Sequence, residues 1–128
     1  GIIVYYAENE DRQLKETIVE RSKPEEGFAN KKYGRKIVDL VLRSKKPIVV
    51  IDSSKEKDPV IAGSLKLLKI GSVMCTPLIK HGRIMGALYI DSYNKPYGFR
   101  ENDLPLFVEL GDLTASAIET YLTPENDR

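Results

Sequence analysis

The stretch Ser72–Ser92, SVMCTPLIKHGRIMGALYIDS, decides the fold, because it reads as two antiparallel strands joined by a two-residue turn at His81 and Gly82. A type I′ turn needs positive φ at both central residues, which glycine adopts freely and histidine tolerates better than most residues. Counting outward from the turn predicts the pairing of the strands. The first face would carry the pairs Lys80 with Arg83, Leu78 with Met85, Thr76 with Ala87, Met74 with Tyr89 and Ser72 with Asp91. The second face would carry Ile79 with Ile84, Pro77 with Gly86, Cys75 with Leu88 and Val73 with Ile90.

Both faces of this hairpin are mostly apolar, so we expect it to be covered on both sides, in the middle of a domain. The first face also carries several polar groups among its methionines. Ligand cavities combine apolar walls with a few placed polar groups, so this face is the predicted ligand site, closed by residues 51–68. The predicted ligand-binding residues are Met74, Thr76, Met85, Tyr89 and Asp91 from the hairpin, with Asp52, Ile61 and Leu65 from the closing segment.

Pro77 predicts something about the strand on the outer side of the hairpin. Its missing N–H would point away from the second hairpin strand, so the strand on the other side must be short, bulged or absent. The apolar segment Pro47–Asp52 is the predicted neighbour.

The remaining elements follow from local patterns in the chain. Residues 2–8 and 14–21 read as strands of a first hairpin. Residues 31–44 have helical periodicity, with Asn30 as a candidate N-cap. Asp58 followed by Pro59 is a strong helix start, and that helix is expected to run to about Lys69. The loop at Ser53 and Ser54 would close a pocket or hold a metal, or simply be solvated, which is the commoner case.

The last helix, predicted for residues 103–122, carries two apolar stripes where a helix lying on a sheet needs only one. The second stripe must bury itself against a helix absent from the N-terminus or against the same helix of a second subunit. Because the chain opens on a strand, we expect a fragment trimmed at its N-terminus, with residues 1–122 as one domain and 123–128 as a polar tail. The predicted dimer interface is Leu106, Leu110, Leu113, Ala117 and Tyr121.

Composition limits the classes of function. A chain of 128 residues with 41% hydrophobic and 30% charged residues is one ordinary globular domain. The net charge of +1 gives no argument for nucleic acid or a membrane as partner, and the basic residues between 31 and 46 read as a solvated helix face. One cysteine and one histidine make neither a disulfide nor the usual zinc site. We therefore predict a cytoplasmic protein with no metal and no catalytic residues.

The hairpin and the last helix share a set of residues that together form a recognisable pattern: Ser72, Cys75, Pro77, Leu78, Gly82, Gly86, Tyr89, Asp91, Phe99, Asp103 and Ala117-Ile118-Glu119. This pattern resembles that of the GAF domain family. The resemblance implies an α+β fold with an antiparallel sheet of about five strands in the order 2-1-5-4-3 and helices on both sides, with the family's first helix missing.

Membership in this family would imply a regulatory function. GAF domains are sensory modules of larger signalling proteins, and many bind a small molecule between the sheet and the segments around the third strand and dimerise through terminal helices. The sequence around Cys75 and Tyr89 is most similar to that of bacterial members that precede AAA+ transcription-activator, kinase or cyclase domains. The resemblance thus implies a homodimeric sensor coupled to an output domain in the same full-length chain, with enhancer-binding transcription activation favoured.

Three alternatives to this interpretation differ in how far the residues support them, and the catalytic one lacks its residues. Relatives that reduce methionine sulfoxide use several cysteines, and relatives that attach a bilin carry a Cys-His pair in a loop. Cys75 is the one cysteine of this chain and is predicted in a strand, so the residues for both chemistries are missing. Relatives that bind cyclic nucleotides carry a pattern matched here at Asn94-Lys95, Phe99 and Asp103 but broken at Leu104. The third alternative is a ligand-free dimerisation module. No cofactor is expected beyond an unidentified small-molecule ligand.

Overall fold

The computed structural model describes the backbone of residues 2–7, 14–20, 34–93 and 98–122, and the side chains of residues 34–93 and 98–120. Short 3₁₀ turns, Ser53–Lys55 and Glu101–Asp103, precede the second and third helices. In chain order the elements are β1 (Ile2–Ala7), β2 (Leu14–Glu20), α1 (Arg35–Ser44), β3 (Ile48–Val50), α2 (Pro59–Leu67), β4 (Ile70–Lys80), β5 (Arg83–Tyr93) and α3 (Leu104–Leu122).

The five strands form one antiparallel sheet in the order β2-β1-β5-β4-β3. This confirms the predicted α+β class and the predicted strand order. The helices cover both faces of the sheet, as expected for a hairpin whose two faces are apolar. Residues of α1 and α2 pack on one face, and Phe107 and Ala115 of α3 pack on the other.

The central hairpin has the predicted turn but not the predicted register. His81 and Gly82 have φ of 52° and 75°, as a type I′ turn requires. Ile79 pairs with Ile84 as predicted, but Leu78 then pairs with Gly86, which leaves Met85 as an extra residue in β5. All predicted pairs from Leu78 outward are therefore wrong, because one extra residue exchanges the two faces of the strand beyond it.

The bulge decides which residues face which helices. Cys75 pairs with Tyr89, and both belong to the core under α1 and α2, with Ile37 and Leu65. Met74 pairs with Ile90, and both belong to the core under α3. The sheet therefore has two separate apolar layers.

The neighbour of Pro77 is short, as predicted. The three-residue strand β3 pairs with β4 only from Val73 to Cys75, so the ladder ends before Pro77. The proline ring consequently interrupts no hydrogen bond on that side.

Helix starts agree with the sequence where a cap is present. The Asp58 carboxylate accepts hydrogen bonds from the backbone N–H groups of Val60 and Ile61 at 2.9 and 3.2 Å, which confirms the predicted start of α2. Helix α1 begins at Arg35 after Gly34, later than predicted, and the predicted cap Asn30 lies outside the described residues.

Candidate functional site

The eight predicted ligand-binding residues do not share one face of the sheet. Tyr89, Ile61 and Leu65 lie in the core under α1 and α2, and Asp91 joins them through Tyr89. Met74 and Met85 lie on the opposite face, and Thr76 lies there too, beside Gly111 of α3. The predicted common cavity wall is therefore wrong, and the bulge at Met85 is the physical reason.

Tyr89 occupies the space between the sheet and α1. Its phenol is fully buried, accepts a hydrogen bond from the Gly34 N–H at 2.8 Å and donates one to Asp91 Oδ2 at 2.6 Å. Burial raises the pKa of Tyr89 far above its usual value, and the nearby charge of Asp91 raises it further. The phenol is thus a neutral structural group that ties the start of α1 to β5.

Cys75 is also fully buried, beside Tyr89 in the same layer. Burial raises the pKa of its thiol well above the usual value. Since the thiolate is the reactive form of cysteine, this residue is an inert core thiol at neutral pH.

An open cleft of about 590 Å³ lies beside α2, away from the residues that α2 buries against the sheet. Three segments build it: the turn after β3, one side of α2, and the junction of α2 with β4. Asp52 is the one predicted ligand-binding residue in its wall, and its role in binding stays a prediction. The cleft is lined by Asp52, Ser53, Ser54, Ala62, Gly63, Lys66, Lys69, Ile70 and Gly71.

The turn after β3 is held by Asp52. Its Oδ1 atom accepts hydrogen bonds from Ser54 Oγ at 2.6 Å and from the Ser54 N–H at 3.0 Å. The bond from the Ser54 hydroxyl is the main reason that the pKa of Asp52 is lowered, and the charge of Lys55 adds to it. At neutral pH the cleft therefore has an ionised carboxylate at this end, already bonded to its own loop.

The other end of the cleft carries two lysines. Lys66 lies in the last turn of α2, and the Lys69 N–H donates to the Lys66 carbonyl at 3.1 Å where the chain leaves the helix. The backbone of Lys69 is left-handed, with φ of 60°. Sequence reasoning missed both lysines, although their spacing of three residues at a helix end was a readable signal.

Helix α3 presents the predicted dimer stripe to solvent. Leu106, Leu110 and Leu113 are 71%, 52% and 64% exposed, and Ala117 is exposed as well. The side chain of Tyr121, the fifth predicted interface residue, lies outside the described residues. The opposite side of the helix is buried on the sheet, so α3 carries two distinct apolar stripes, as its sequence predicts.

Two residues of the cyclic-nucleotide pattern, Phe99 and Asp103, stabilise the fold around α3. Asp103 accepts a hydrogen bond from the Arg100 N–H at 2.8 Å and so caps the turn before α3. Phe99 packs against the core under α3. Neither residue lines the cleft, and Asn94 and Lys95 lie outside the described residues.

In the part of the chain that the structure describes, no three His, Cys, Asp or Glu side chains converge as a metal site would require. Within the same residues, no helix is long and apolar enough to cross a membrane.

Comparison with known proteins identifies one family. The family model described as GAF domain matches residues 1–119 of the chain. No curated protein matched the chain.

Solved structures agree on the fold. The domain of a Sinorhizobium meliloti protein described as a two-component sensor histidine kinase is 16% identical, with a TM-score of 0.58 over 92% of this chain and 77% of that chain. A phycocyanobilin-bound GAF domain from a cyanobacterial phytochrome is 17% identical, with a TM-score of 0.58 over 91% of this chain and 73% of that one. At such identities the likeness shows the fold alone.

One similar structure is an enzyme. The free methionine-R-sulfoxide reductase from Neisseria meningitidis, solved with its substrate, is 25% identical, with a TM-score of 0.51 over 65% of this chain and 47% of that chain. The likeness covers less of both chains than the other two comparisons do. The reductase therefore makes catalysis a question to be answered from the residues of this chain.

Proposed function

This chain belongs to the GAF domain family, and on that premise we propose that it is a non-catalytic sensory domain of a signalling protein. It binds a small molecule in the cleft beside α2 and passes the binding signal through a homodimer formed by α3. The output domain lies in the same full-length protein.

The cleft is the observation that carries this proposal. Its volume of about 590 Å³ falls within the range of pockets that hold small ligands, roughly 300–1,000 Å³. Its wall combines Ala62 and two glycines with two serines, a carboxylate and two lysines. The ligand would lie on the outer side of α2, because Tyr89 and Leu65 are buried in the core between the sheet and helices α1 and α2.

The cleft and the dimer stripe are connected through β4. Ile70 and Gly71 line the cleft at the start of this strand, and Thr76 further along it contacts α3 at Gly111. A ligand that shifts the start of β4 would therefore change how α3 packs on the sheet. Coupling requires that the ligand bind one dimer arrangement better than another, by about 1–3 kcal/mol.

The non-catalytic assignment rests on Cys75. Reduction of methionine sulfoxide by thiols needs a reactive thiolate and a resolving partner. Cys75 is the single cysteine of the chain, is fully buried and has a raised pKa. A reducing cytoplasm is the location we propose for a domain with this one unpaired thiol.

The output that we favour is transcription activation, on the resemblance of the hairpin to domains that precede AAA+ activators. A histidine kinase is the other candidate, since one similar solved domain comes from a protein of that description.

A second candidate function is a dimerisation module that binds no small molecule. The exposed leucines of α3 favour it, because they need a partner whether or not the cleft is filled. Cyclic-nucleotide binding is a weaker candidate, because Phe99 packs against the core and Asp103 caps a turn, both away from the cleft.

Native mass spectrometry of the purified protein, run gently and then after denaturing extraction, separates these candidates. A small molecule that is released on denaturation is the expected result for a sensor, and the same spectrum gives the dimer fraction. A dimer that stays unliganded through a panel of cyclic nucleotides and metabolites would contradict ligand sensing and support the dimerisation module.

A further inference from the structure

We propose that the cleft beside α2 selects small organic anions, with a carboxylate or phosphate group held by the ammonium groups of Lys66 and Lys69. The apolar part of the ligand lies against Ala62 and Gly63 of α2. This inference rests on the proposed function, because it specifies the ligand class of the same cleft.

The charge available to a ligand in the cleft is positive. Among its lining residues the cleft has two cations, Lys66 and Lys69, and one anion, Asp52. The Asp52 carboxylate already accepts two hydrogen bonds from Ser54, and Lys55 lies near enough to lower its pKa. Because its negative charge is already stabilised in this way, Asp52 attracts a cationic ligand group less strongly. An anionic group on the ligand would instead meet two ammonium groups.

The two lysines enter the cleft wall from the end of α2. The hydrogen bond from the Lys69 N–H to the Lys66 carbonyl closes the end of α2, so both side chains start from the same turn. Lys69 has a left-handed backbone that glycine would adopt at lower conformational cost. Lys45 ends α1 in the same conformation, so the backbone alone does not single out Lys69, and the position of Lys69 in the cleft wall does.

The remainder of the wall favours an organic anion over a bare one. Ala62 is half-buried in the wall and offers its methyl group, and a Cβ added at Gly63 would meet no atom within 4 Å, so space is open there. The methylene stems of Lys66 and Lys69 add apolar surface beside their charged ends. An inorganic anion would leave this surface in contact with water. An anion with an apolar body buries it and gains the hydrophobic contribution.

Four probes test the charge and the apolar body separately: phenyl phosphate, benzoate, benzyl alcohol and inorganic phosphate. Each is titrated into the ¹⁵N-labelled protein, and backbone amide shifts are followed. We expect phenyl phosphate or benzoate to shift the amides of residues 52–54 and 62–71, at least about tenfold more tightly than benzyl alcohol or inorganic phosphate. The ratio of the two aromatic anions tells a phosphate site from a carboxylate site.

The chain supplies matched control variants. Lys69→Gly removes one ammonium group and suits the left-handed backbone, so the variant should fold and lose about tenfold in affinity for the preferred anion. Lys45→Gly makes the same change at the end of α1, where φ is 59° and the residue does not line the cleft. That variant should bind as the unaltered protein does. Lys66→Gln and Lys36→Gln form a second matched pair.

Three results would overturn the inference. Lys45→Gly weakening binding as much as Lys69→Gly would show attraction to net charge alone. Benzyl alcohol binding in the cleft as tightly as the anions would reject anion selection while leaving the sensor proposal intact. Absence of cleft shifts with all four probes would reject the anion site, and the native mass spectrum would then decide the sensor proposal by itself.

Discussion

Among single residues, Tyr89 contributes to stability through its hydroxyl, which joins α1 to β5. Replacing Tyr89 by Phe leaves the buried Gly34 N–H without this acceptor and removes one donor from Asp91. A buried polar group left unsatisfied costs about 1–3 kcal/mol. Urea denaturation at pH 7 should therefore show the variant less stable by that amount, with an unchanged m-value.

A double-mutant cycle with Asp91→Ala, which removes the acceptor of the Tyr89 hydroxyl, controls this result. If the Tyr89–Asp91 bond contributes directly, the two substitutions will be non-additive. Additive losses would contradict the direct bond and leave only the bond from Gly34.

The raised pKa of Tyr89 also predicts a pH dependence. The folded state keeps the phenol proton where the unfolded chain, at its ordinary pKa of 10.0, begins to release it. The contribution of Tyr89 to stability is therefore complete below pH 10.0 and declines as pH rises above it. The stability difference between the unaltered protein and Tyr89→Phe should shrink by about 1.4 kcal/mol per pH unit there. A constant difference from pH 8 to pH 11 would show that the phenol ionises equally in both states.

At the scale of elements, helix α3 packs so closely on β4 at Gly111 that a larger residue has little space there. A Cβ added at Gly111 would lie 2.7 Å from Thr76 Cγ2, closer than such atoms approach each other. We expect Gly111→Ala to lower the free energy of unfolding by about 1–3 kcal/mol, despite the better helix propensity of alanine. Urea denaturation measures this loss.

Two further variants make the cause of that loss visible. Thr76→Ser removes the methyl group in question, so it should restore much of the stability of Gly111→Ala. Gly63→Ala is the matched helical substitution, and since its Cβ meets no atom within 4 Å it should stabilise the protein by about 0.5–1 kcal/mol. Equal losses at Gly111 and Gly63 would contradict the steric explanation.

The elements were predictable where a local chemical rule fixes them. Turn residues His81 and Gly82, the cap Asp58 and the short neighbour of Pro77 all lie where the sequence predicts them. The bulge at Met85 was not predicted, because alternation on two apolar faces looks the same before and after a shift of one residue. Gly86 lies directly after the bulge, and a glycine inside a strand pattern is a signal for a bulge that the alternation of apolar residues does not contain.

Across the whole molecule, the strand order followed from the family resemblance, but the cleft did not. Its wall joins residues of three segments, and its volume depends on how the turn at Ser53 and Ser54 sits against α2. No spacing in the sequence encodes that distance. The predicted cavity under α2 is filled instead by Tyr89 and Leu65, so the residues expected to bind a ligand there form core.

The assembly of two chains is the last property that the fold predicts. Leu110 lies mid-stripe on α3 and is 52% exposed, so Leu110→Lys should leave the monomer folded while placing a charge in the proposed α3–α3 interface. Sedimentation velocity over a concentration series should show the dimer weakened by at least about tenfold. Leu67→Lys, at an 83% exposed leucine of α2, is the matched control and should leave the dimer unchanged. Equal dissociation in both variants would place the interface elsewhere, and a Leu110→Lys dimer of full strength would exclude the α3 stripe as the contact between subunits.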